Sequence, residues 1–288
     1  MSREYSAAVS TARDYYNSED ADNFYFMIWG GQDIHIGLYQ SDEDPIADAS
    51  SRTVERMASL PGSLGTESRV LDMGSGYGGA ARYLARRFGC HVTALNLSEV
   101  ENNRNRQLSR EQGLDHLVKV VDGSFEALPF GDASFDLVWS QDAFLHSGER
   151  ATVFSEAVRV MKPGADLVFT DPMQADDCPD GVLQPILDRI HLETLGSPGF
   201  YREMSDRHGL TEAGFQDLTP QLVNHYARVL AETKSREADL RGQISQDYLE
   251  RMKRGLQHWV DGGSRGYLAW GIFHFQGRKG APRESDRS

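Results

Sequence analysis

Between Arg69 and Thr170 the chain alternates between short apolar runs and longer polar segments, and this alternation constrains the fold most. Short apolar runs rich in branched side chains are typical of strands, and the segments between them have the pattern of helices. Strands that alternate with helices predict a parallel sheet, and strands apolar along their length predict helices on both faces. The predicted strands are RVLDMG (69–74), HVTALNL (91–97), LVKVVDG (117–123), FDLVWSQ (135–141) and ADLVFTD (165–171). The sequence therefore predicts an α/β fold.

The rest of the chain is predicted to be mainly helical. The helical patterns cover residues 5–30, 47–60 and most of 175–260, with turns at 196–199 and near Gly214, and GYLAWGIFHF (266–275) alternates like a final strand. No linker composition separates these parts, so we expect a single domain over residues 1–276 with a disordered polar tail. Its parts are an N-terminal helical lid (1–60), a core (65–172), a helical insertion (173–265), the last strand (266–276) and the tail (277–288).

Charge and cysteine content limit the partners of the chain. The net charge of −13 argues against nucleic acid and against an anionic membrane surface, because phosphate binding needs a basic face. The sequence has neither the apolar stretch of a membrane helix nor a signal-peptide pattern, so we expect a cytoplasmic protein. Cys90 and Cys178 indicate no disulfide framework, and no His or Cys cluster predicts a metal site. The acidic surface is either an ordinary solvated surface or an adaptation to a salty cytoplasm.

The loop VLDMGSGYGG (70–79) is the most informative motif. A glycine-rich turn between a strand and a helix lets the backbone approach a ligand, and the helix N-terminus offers free N–H groups. A glycine motif alone is weak evidence, but here a strand precedes it, a helix follows it, and Asp72 lies two residues before Gly74. The motif therefore predicts a nucleotide-type cofactor.

Polar residues stand at the carboxyl ends of the predicted strands, where open α/β sheets bind ligands. Asp72 lies near the end of the first strand, Asn96 of the second and Asp122 of the third, and Asp142 follows the fourth. A dinucleotide-binding protein has an acid at the position of Asn96 for the ribose hydroxyls, but an asparagine can also hydrogen-bond a hydroxyl. The alternative is that these side chains only cap the strand ends.

Residues 65–172 resemble the class I S-adenosylmethionine (SAM)-dependent methyltransferases in the order and spacing of three segments. VLDMGSGYGG looks like their first motif, VDGSFEALPFGDASFDLVWSQDAFLH (121–146) like their adenine strand, acidic loop and fourth strand, and RVMKPGADLVFTD (159–171) like their late turn and fifth strand. The resemblance implies a Rossmann-like fold and SAM as the cofactor. The implied cofactor-binding residues are Asp72, Gly74, Ser75 and Gly76 in the glycine-rich loop, Asn96 and Leu97 near the ribose, Asp122, Gly123, Ser124 and Phe125 around the adenine, and Gln141 near the amino acid end.

From about residue 11 to 275 the chain resembles the small-amine N-methyltransferases, most closely the sarcosine/dimethylglycine N-methyltransferases that form glycine betaine. The segments that carry this resemblance are YYNSEDADNFYFMIWGGQDIHIGLY, WSQDAFLHS, FTDPMQADDCP, RIHLETLGSPGFYR and YLAWGIF. It implies N-methylation of dimethylglycine, with sarcosine as a further acceptor. It implies that Tyr25 and His146 form a catalytic pair in contact over the acceptor nitrogen. The other implied residues are Arg189 and His191 at the acceptor's anionic group, and Pro172 and Met173 in the pocket wall.

The chemistry of the residues is consistent with this reaction. His146 follows the fourth strand, at the edge where the methyl group would be transferred, and a neutral imidazole there could take a proton from an ammonium. The acceptor carboxylate needs a fixed cation, for which a bidentate arginine is best suited. Arg189 is the first candidate and Arg202 and Arg228 follow, while the alternative for Arg189 is a charge on a helix surface. Aromatic rings stabilise cations, and the candidates for this are Trp29, Tyr25 and Tyr226.

Two other functions are compatible with the sequence. The first is methylation of another small acceptor such as phosphoethanolamine. A phosphate pocket would need more cations than Arg189 alone, however, and acids outnumber bases across residues 170–202, which favours a monocarboxylate. The second is a non-catalytic SAM-binding protein, which predicts decay of the cofactor loop or of the acceptor pocket, and neither is visible. The oligomeric state and the number of successive methylations stay open.

Overall fold

The computed structural model describes residues 7–41 and 43–278, and a seven-stranded sheet forms its centre. The strands are β1 (Arg69–Met73), β2 (His91–Asn96), β3 (Val118–Asp122), β4 (Phe135–Gln141), β5 (Met161–Thr170), β6 (Met173–Gln174), β7 (Thr211–Asp217), β8 (Leu268–Ala269) and β9 (Gly271–Gln276). The helices are α1 (Ala7–Tyr16), α2 (Glu19–Trp29), α3 (Ile46–Met57), α4 (Gly79–Phe88), α5 (Glu99–Glu111), α6 (Arg150–Val160), α7 (Gln184–Ile190), α8 (Pro198–Arg207), α9 (Thr219–Ser235), α10 (Glu237–Leu240) and α11 (Gln246–Ser264). A 3-10 turn covers Phe144–His146.

The strand order is β3-β2-β1-β4-β5-β9-β7, and β6 pairs separately with β8. The first five strands are parallel to their neighbours, whereas β9 is antiparallel to both β5 and β7. The chain moves outward from β1 to β3 and then returns to place β4 beside β1, so the strand order reverses there. Open α/β sheets bind ligands at the carboxyl ends of the strands at such a reversal. The order confirms the predicted α/β fold with a parallel core.

Both faces of the sheet are covered because side chains alternate across each strand. In β1, Leu71 and Met73 pack in one core cluster with Phe154 of α6, while Val70 packs in the opposite cluster with Leu84 of α4. All five side chains are fully buried. Strands with apolar residues on both faces therefore fit between two helical layers, as the sequence predicts.

The helical region is attached to the end of β4 through Asp142. One carboxylate oxygen accepts a hydrogen bond from the backbone N–H of Ile36 (2.7 Å), and the other accepts one from Nε1 of Trp270 (2.8 Å). Asp142 has a left-handed backbone (φ 50°), a conformation that is uncommon outside glycine but more readily adopted by aspartate. These bonds fix the segment after α2 and the segment before β9 above the sheet edge.

Two predictions about the strands are wrong. The turn predicted near Gly214 is instead strand β7, which pairs with β9 and has an irregular register between Glu212 and Gly214. Its side chains are exposed or half-buried, so it lacks the apolar alternation by which a strand is recognised. The single strand predicted at 266–275 is divided before Gly271, because Leu268 and Ala269 pair with β6 whereas Gly271–Gln276 joins the main sheet.

Differences at the chain ends are smaller. The helix predicted over 5–30 is two helices, and the Ser18 side chain caps the second by accepting a hydrogen bond from the N–H of Ala21 (3.3 Å). The predicted tail lies outside the described residues from 279 onward, and the single domain with a lid stays a prediction.

Within the described ranges, no helix combines the length and the apolar character required to cross a membrane.

We predict that Phe169→Ala lowers the free energy of unfolding by about 3–5 kcal/mol, because its fully buried ring leaves a cavity among the rings of Phe144, Tyr201 and Phe273. Denaturant unfolding followed by circular dichroism measures this. The control is Val182→Ala, an exposed position, at which we expect a change of at most about 0.5 kcal/mol. Equal losses in the two variants would contradict the core assignment.

Candidate active site

A tight backbone turn after β1 builds the first part of the site. The N–H groups of Gly74 and Ser75 both donate to the carbonyl of Leu95 at the end of β2, over 2.8 and 3.1 Å. Gly74 has φ +80°, and a Cβ at this residue would lie 2.4 Å from the Cβ of Ala143. Only glycine fits such a position without strain, so the sequence motif is explained by the close approach of the loop to the segment after β4.

A narrow cavity of about 80 Å³ lies between this loop and α1. The predicted cofactor residues that line it are Gly74, Gly76, Asn96, Leu97, Ser124, Phe125 and Gln141. Its cover comes from α1, through Val9, Ala12, Arg13 and Tyr16. Pockets for small ligands commonly have about 300–1,000 Å³, so this cavity with α1 over it is narrower than a usual ligand pocket.

The remaining predicted cofactor residues do not line this cavity. Asp72 is buried, burial raises its pKa to about 7, and its Oδ2 has no hydrogen-bond partner among the described residues. Ser75 Oγ is buried and unpartnered in the same sense. Asp122 instead accepts hydrogen bonds from Asn102 and Arg106, and the N–H of its neighbour Gly123 donates to the carbonyl of Asn96.

The unpartnered polar atoms support a cofactor at this position. Besides Asp72 and Ser75, the Nε2 of Gln141 is buried without a partner, while its Oε1 accepts a hydrogen bond from Trp139 (3.0 Å). A buried polar atom without a partner costs about 1–3 kcal/mol. Their clustering at the ends of β1 and β4 therefore fits a polar ligand that supplies the missing partners.

Glu101 is a site residue that the sequence analysis missed. It lies in the first turn of α5, lines the narrow cavity, and accepts a hydrogen bond from Asn96 Nδ2 (2.7 Å). Burial raises the pKa of its carboxyl to about 7. The analysis looked for an acid at the end of β2 itself, whereas this acid comes from a residue five positions later that folds back beside Asn96.

A second cavity of about 1000 Å³ adjoins the first. The predicted catalytic and acceptor-binding residues that line it are Tyr25, Trp29, His146, Pro172, Arg189, His191 and Tyr226. Met173 is fully buried in the core cluster below the site, so the structure does not bring it to the cavity wall. Five of the described residues line both cavities and form the boundary across which a group would be transferred: Ala12, Tyr16, Ile34, Asp142 and His146.

His146 is held as a neutral imidazole at this boundary. Its Nε2 lies 2.8 Å from the hydroxyl of Tyr16, and burial together with the nearby Arg189 lowers the pKa of His146 to about 4. Burial also raises the pKa of the Tyr16 hydroxyl well above its usual value. The hydroxyl therefore donates to Nε2, and the imidazole proton resides on Nδ1.

The contact expected between Tyr25 and His146 goes instead through Tyr16. The hydroxyl of Tyr25 lies 3.2 Å from that of Tyr15, and its ring centroid is 5.7 Å from that of Tyr16. Trp29 lies on another side of Tyr25 at 5.2 Å between ring centroids. Tyr25 thus belongs to an aromatic group beside the imidazole, and the sequence analysis missed Tyr16 because either tyrosine of the pair 15–16 could face inward.

Arg189 of α7 is a half-buried cation that contacts the Sδ of Met252 (2.7 Å) and has no carboxylate partner among the described residues. Burial lowers its pKa, but the surrounding hydroxyls raise it more, so the guanidinium stays charged. The neighbouring tyrosines are Tyr15, Tyr25, Tyr248 and Tyr226. Gly255 of α11 makes room for the side chain, since a Cβ there would lie 2.4 Å from the Nε of Arg189.

The other two arginine candidates are engaged away from the cavity. Arg202 pairs with Glu212 (2.9 Å) and stacks over Phe215. Arg228 lies 3.6 Å from Glu232 of the same helix. Of the three arginines, only Arg189 lines the cavity and lacks a carboxylate among the described residues.

Known proteins resemble this chain over almost its whole length. A methyltransferase domain family matches residues 71–169. A sarcosine/dimethylglycine N-methyltransferase of Halorhodospira halochloris is 64% identical over 95% of this chain and 97% of its own. The chain belongs to the sarcosine/dimethylglycine N-methyltransferase family. A dimethylglycine N-methyltransferase of Parasynechococcus marenigrum (strain WH8102) is 51% identical over 94% of this chain and 96% of its own.

The fold agrees with this family too. The crystal structure of a proposed sarcosine dimethylglycine methyltransferase from Galdieria sulphuraria has a TM-score of 0.87 and 43% identity, covering 93% of this chain and all of that one. The predicted family, the class I methyltransferase fold and the assignment as an N-methyltransferase are thus confirmed. The roles that the sequence analysis assigns to individual site residues of this chain stay predictions.

We predict that His146 stays neutral down to about pH 5, because its pKa is lowered from the ordinary value of about 6.5 to about 4. Between these two values the unfolded chain binds a proton that the folded protein does not, so stability rises with pH through this window and is flat above it. Nitrogen NMR of the imidazole, assigned by comparison with His146→Asn, measures the titration and the Nδ1–H tautomer. An imidazole that titrates near pH 6.5 would contradict this assignment.

Proposed function

We propose that this protein transfers methyl groups from SAM to the nitrogen of dimethylglycine, and of sarcosine, so that dimethylglycine becomes glycine betaine. One observation carries the choice of acceptor: Arg189 is a half-buried cation without a carboxylate partner among the described residues, and it lines the cavity that meets the cofactor cavity at His146. By their names, the relatives of this protein act on sarcosine and dimethylglycine.

The carboxylate of the acceptor would be bound by Arg189. A guanidinium presents paired N–H donors that match both oxygens of a carboxylate. A charge inside a protein is costly unless it is paired, and this carboxylate would supply the missing partner. His191 follows at the end of the same helix and also lines the cavity, so we assign it to the same end of the acceptor.

The amine of the acceptor must lose its proton before its lone pair can attack a methyl group. The positive charge of Arg189 and the burial that lower the pKa of His146 disfavour an ammonium at this boundary in the same way. Nε2 of His146 is the nearby proton acceptor once Tyr16 releases its hydrogen bond. We therefore assign Nε2 of His146 as the atom that takes the ammonium proton, which leaves the amine lone pair free, with Tyr16 as the hydrogen-bond partner of His146 and Tyr25 beside them.

Aromatic rings would stabilise the cationic product. Tyr25 and Trp29 lie 5.2 Å apart between ring centroids, and Tyr226 stacks on Trp259 at 5.1 Å in the same cavity. Ring faces attract quaternary ammonium groups by about 0.5–2 kcal/mol each. Because betaine carries such a group, we propose that this wall binds the nitrogen end of the acceptor and product.

SAM would supply the methyl group as part of a sulfonium. The glycine-rich loop with Asp72 and Ser75 would bind its methionine part, together with Gln141 Nε2. Asn96 and Glu101 would bind the ribose hydroxyls, in which Glu101 supplies the acid that the end of β2 lacks. The segment that includes Ser124 and Phe125 would enclose the adenine, and α1 would close over the bound cofactor.

The charges of the large cavity favour a carboxylate over a phosphate as the anionic group of the acceptor. Arg251 and Arg254 also line this cavity, but both are exposed, whereas Arg189 is half-buried. The doubly charged phosphate of phosphoethanolamine would need further buried cations. One half-buried arginine matches a monocarboxylate.

The setting of the reaction is part of the proposal. Betaine is an osmolyte, which fits the acid-rich composition of the chain. Both cysteines are free, as is usual in a reducing cytoplasm. We therefore propose a cytoplasmic enzyme of osmolyte synthesis that consists of one domain with an N-terminal lid and needs no nucleic acid or membrane partner.

We predict that the protein converts dimethylglycine to betaine when it is given labelled SAM, that it also methylates sarcosine, and that phosphoethanolamine is not methylated. Mass spectrometry of the products from a panel of these acceptors and glycine measures this. His146→Ala is the control for contaminating activity, because we expect it to bind SAM but to lose most turnover. Methylation of phosphoethanolamine but not of dimethylglycine would overturn the proposed acceptor.

A further inference from the structure

His225 of α9 is a buried histidine in the large cavity that the proposed mechanism does not use. The residue is 1% exposed and contacts the rings of Trp29 and Tyr226, at 5.4 and 5.6 Å between centroids. It therefore lies beside the rings to which we assign the nitrogen end of the acceptor, from which one methylene carbon separates the carboxylate, and on an element different from the one that carries Arg189.

Hydrogen bonds fix the tautomer of this imidazole. Its Nδ1 lies 3.2 Å from the backbone N–H of Gly37 and 2.9 Å from the hydroxyl of Tyr39. A backbone N–H can only donate, so Nδ1 accepts and carries no proton. Burial lowers the pKa of His225 to about 3, which keeps the ring neutral. The single ring proton must then be on Nε2.

The Gly37 N–H that sets this tautomer is itself held in place. The carbonyl of Ile36 accepts a hydrogen bond from Thr53 (2.8 Å), and the N–H of Leu38 donates to the carbonyl of Ala49 (2.9 Å). A Cβ at Gly37 would lie 2.5 Å from the Cβ of Ala49, so the backbone at Gly37 packs directly on α3. The imidazole is thus oriented by a rigid part of the fold.

Nε2 of His225 is a hydrogen-bond donor without a partner among the described residues, and unlike Nε2 of His35 it does not count among the fully buried atoms without a partner. His225 lines the large cavity, and its Nδ1 is taken up by Gly37 and Tyr39. Nε2 is therefore the ring nitrogen left for a ligand in this cavity. A pre-oriented N–H donor in an apolar wall selects a ligand atom that accepts a hydrogen bond.

We propose that His225 is a specificity-determining residue whose Nε2–H donates a hydrogen bond to the carboxylate of the amine acceptor. This inference rests on the proposed function. The acceptor offers two kinds of hydrogen-bond acceptor, the carboxylate oxygens and the amine lone pair, and the lone pair must stay free to attack the methyl group. The carboxylate is therefore the group that accepts the hydrogen bond from Nε2–H, and Arg189 and His225 bind it from two different helices.

Two substitutions separate the donor from the structural role of the ring. In His225→Asn, the side-chain oxygen can still accept from Gly37, but the donor at the position of Nε2 is lost. In His225→Gln, an amide N–H reaches toward the position of Nε2, but the acceptor for Gly37 is lost. Steady-state kinetics compares dimethylglycine with N,N-dimethylethanolamine, which has a hydroxymethyl group in place of the carboxylate.

We predict that His225→Asn raises the KM for dimethylglycine roughly tenfold or more, as for loss of a hydrogen bond to a charged group, with little change in kcat. The kcat/KM for dimethylethanolamine changes by at most about twofold, because a hydroxyl gains less from the donor. His225→Gln recovers part of the KM for dimethylglycine. Melting temperature and calorimetric binding of S-adenosylhomocysteine verify that each variant is folded.

The possible results distinguish this inference from the proposed function. An unchanged KM in His225→Asn, equal losses for both acceptors, or equal effects of the two substitutions would overturn the role of His225 while the acceptor stands. A wild-type protein that neither methylates dimethylglycine nor binds it calorimetrically in the presence of S-adenosylhomocysteine would overturn the proposed function, and this inference with it.

Discussion

The guanidinium of Arg189 is a half-buried charge in the cavity wall that has no carboxylate partner among the described residues, and the chemistry of the site depends on it. Tyrosine hydroxyls rather than carboxylates surround it, and Gly255 leaves the space for it. An unpaired interior charge is costly to keep, so it is expected where a ligand completes the pair. The same charge helps to keep His146 neutral, which connects binding of the acceptor to the state of the residue beside the transferred methyl group.

The sheet determines where this charge can act. The reversal of strand order between β1 and β4 places the glycine-rich loop and the segment after β4 at one edge, and Asp142 ties the helical region to that edge through two hydrogen bonds. The narrow cavity lies on the sheet side of this boundary and the large cavity on the helical side. Positioning of this kind is the main means by which a protein accelerates a displacement that needs only alignment.

The sequence was sufficient to predict the core of the fold because its signals are local. Strands β1 to β4 each lie within a short, mainly apolar segment that the sequence predicts as a strand, and the glycine-rich loop has its motif within ten residues. Strand β7 was missed because its only support is a long-range partner, β9, and its side chains are largely exposed. Local patterns carry no information about such pairing.

The site was predictable to a similar extent and for a similar reason. Arg189 and His146 were identified from residue type, position and family resemblance, and the structure places both in the large cavity. Glu101 and Tyr16 were missed because both are on helices, and packing with the rest of the fold decides which face of a helix meets the site. His225 is a similar case, since its tautomer depends on Gly37, far away in the sequence.

The pairing of Arg189 with the acceptor carboxylate is tested most directly by the KM for dimethylglycine in Arg189→Ala, with Arg254→Ala at the exposed rim of the same cavity as the matched control. The account predicts an increase of about 100-fold for Arg189→Ala, in line with the 2–5 kcal/mol lost when one partner of a buried charge pair is removed, with unchanged binding of S-adenosylhomocysteine and at most about a twofold change for the control. An unchanged KM in Arg189→Ala would contradict it.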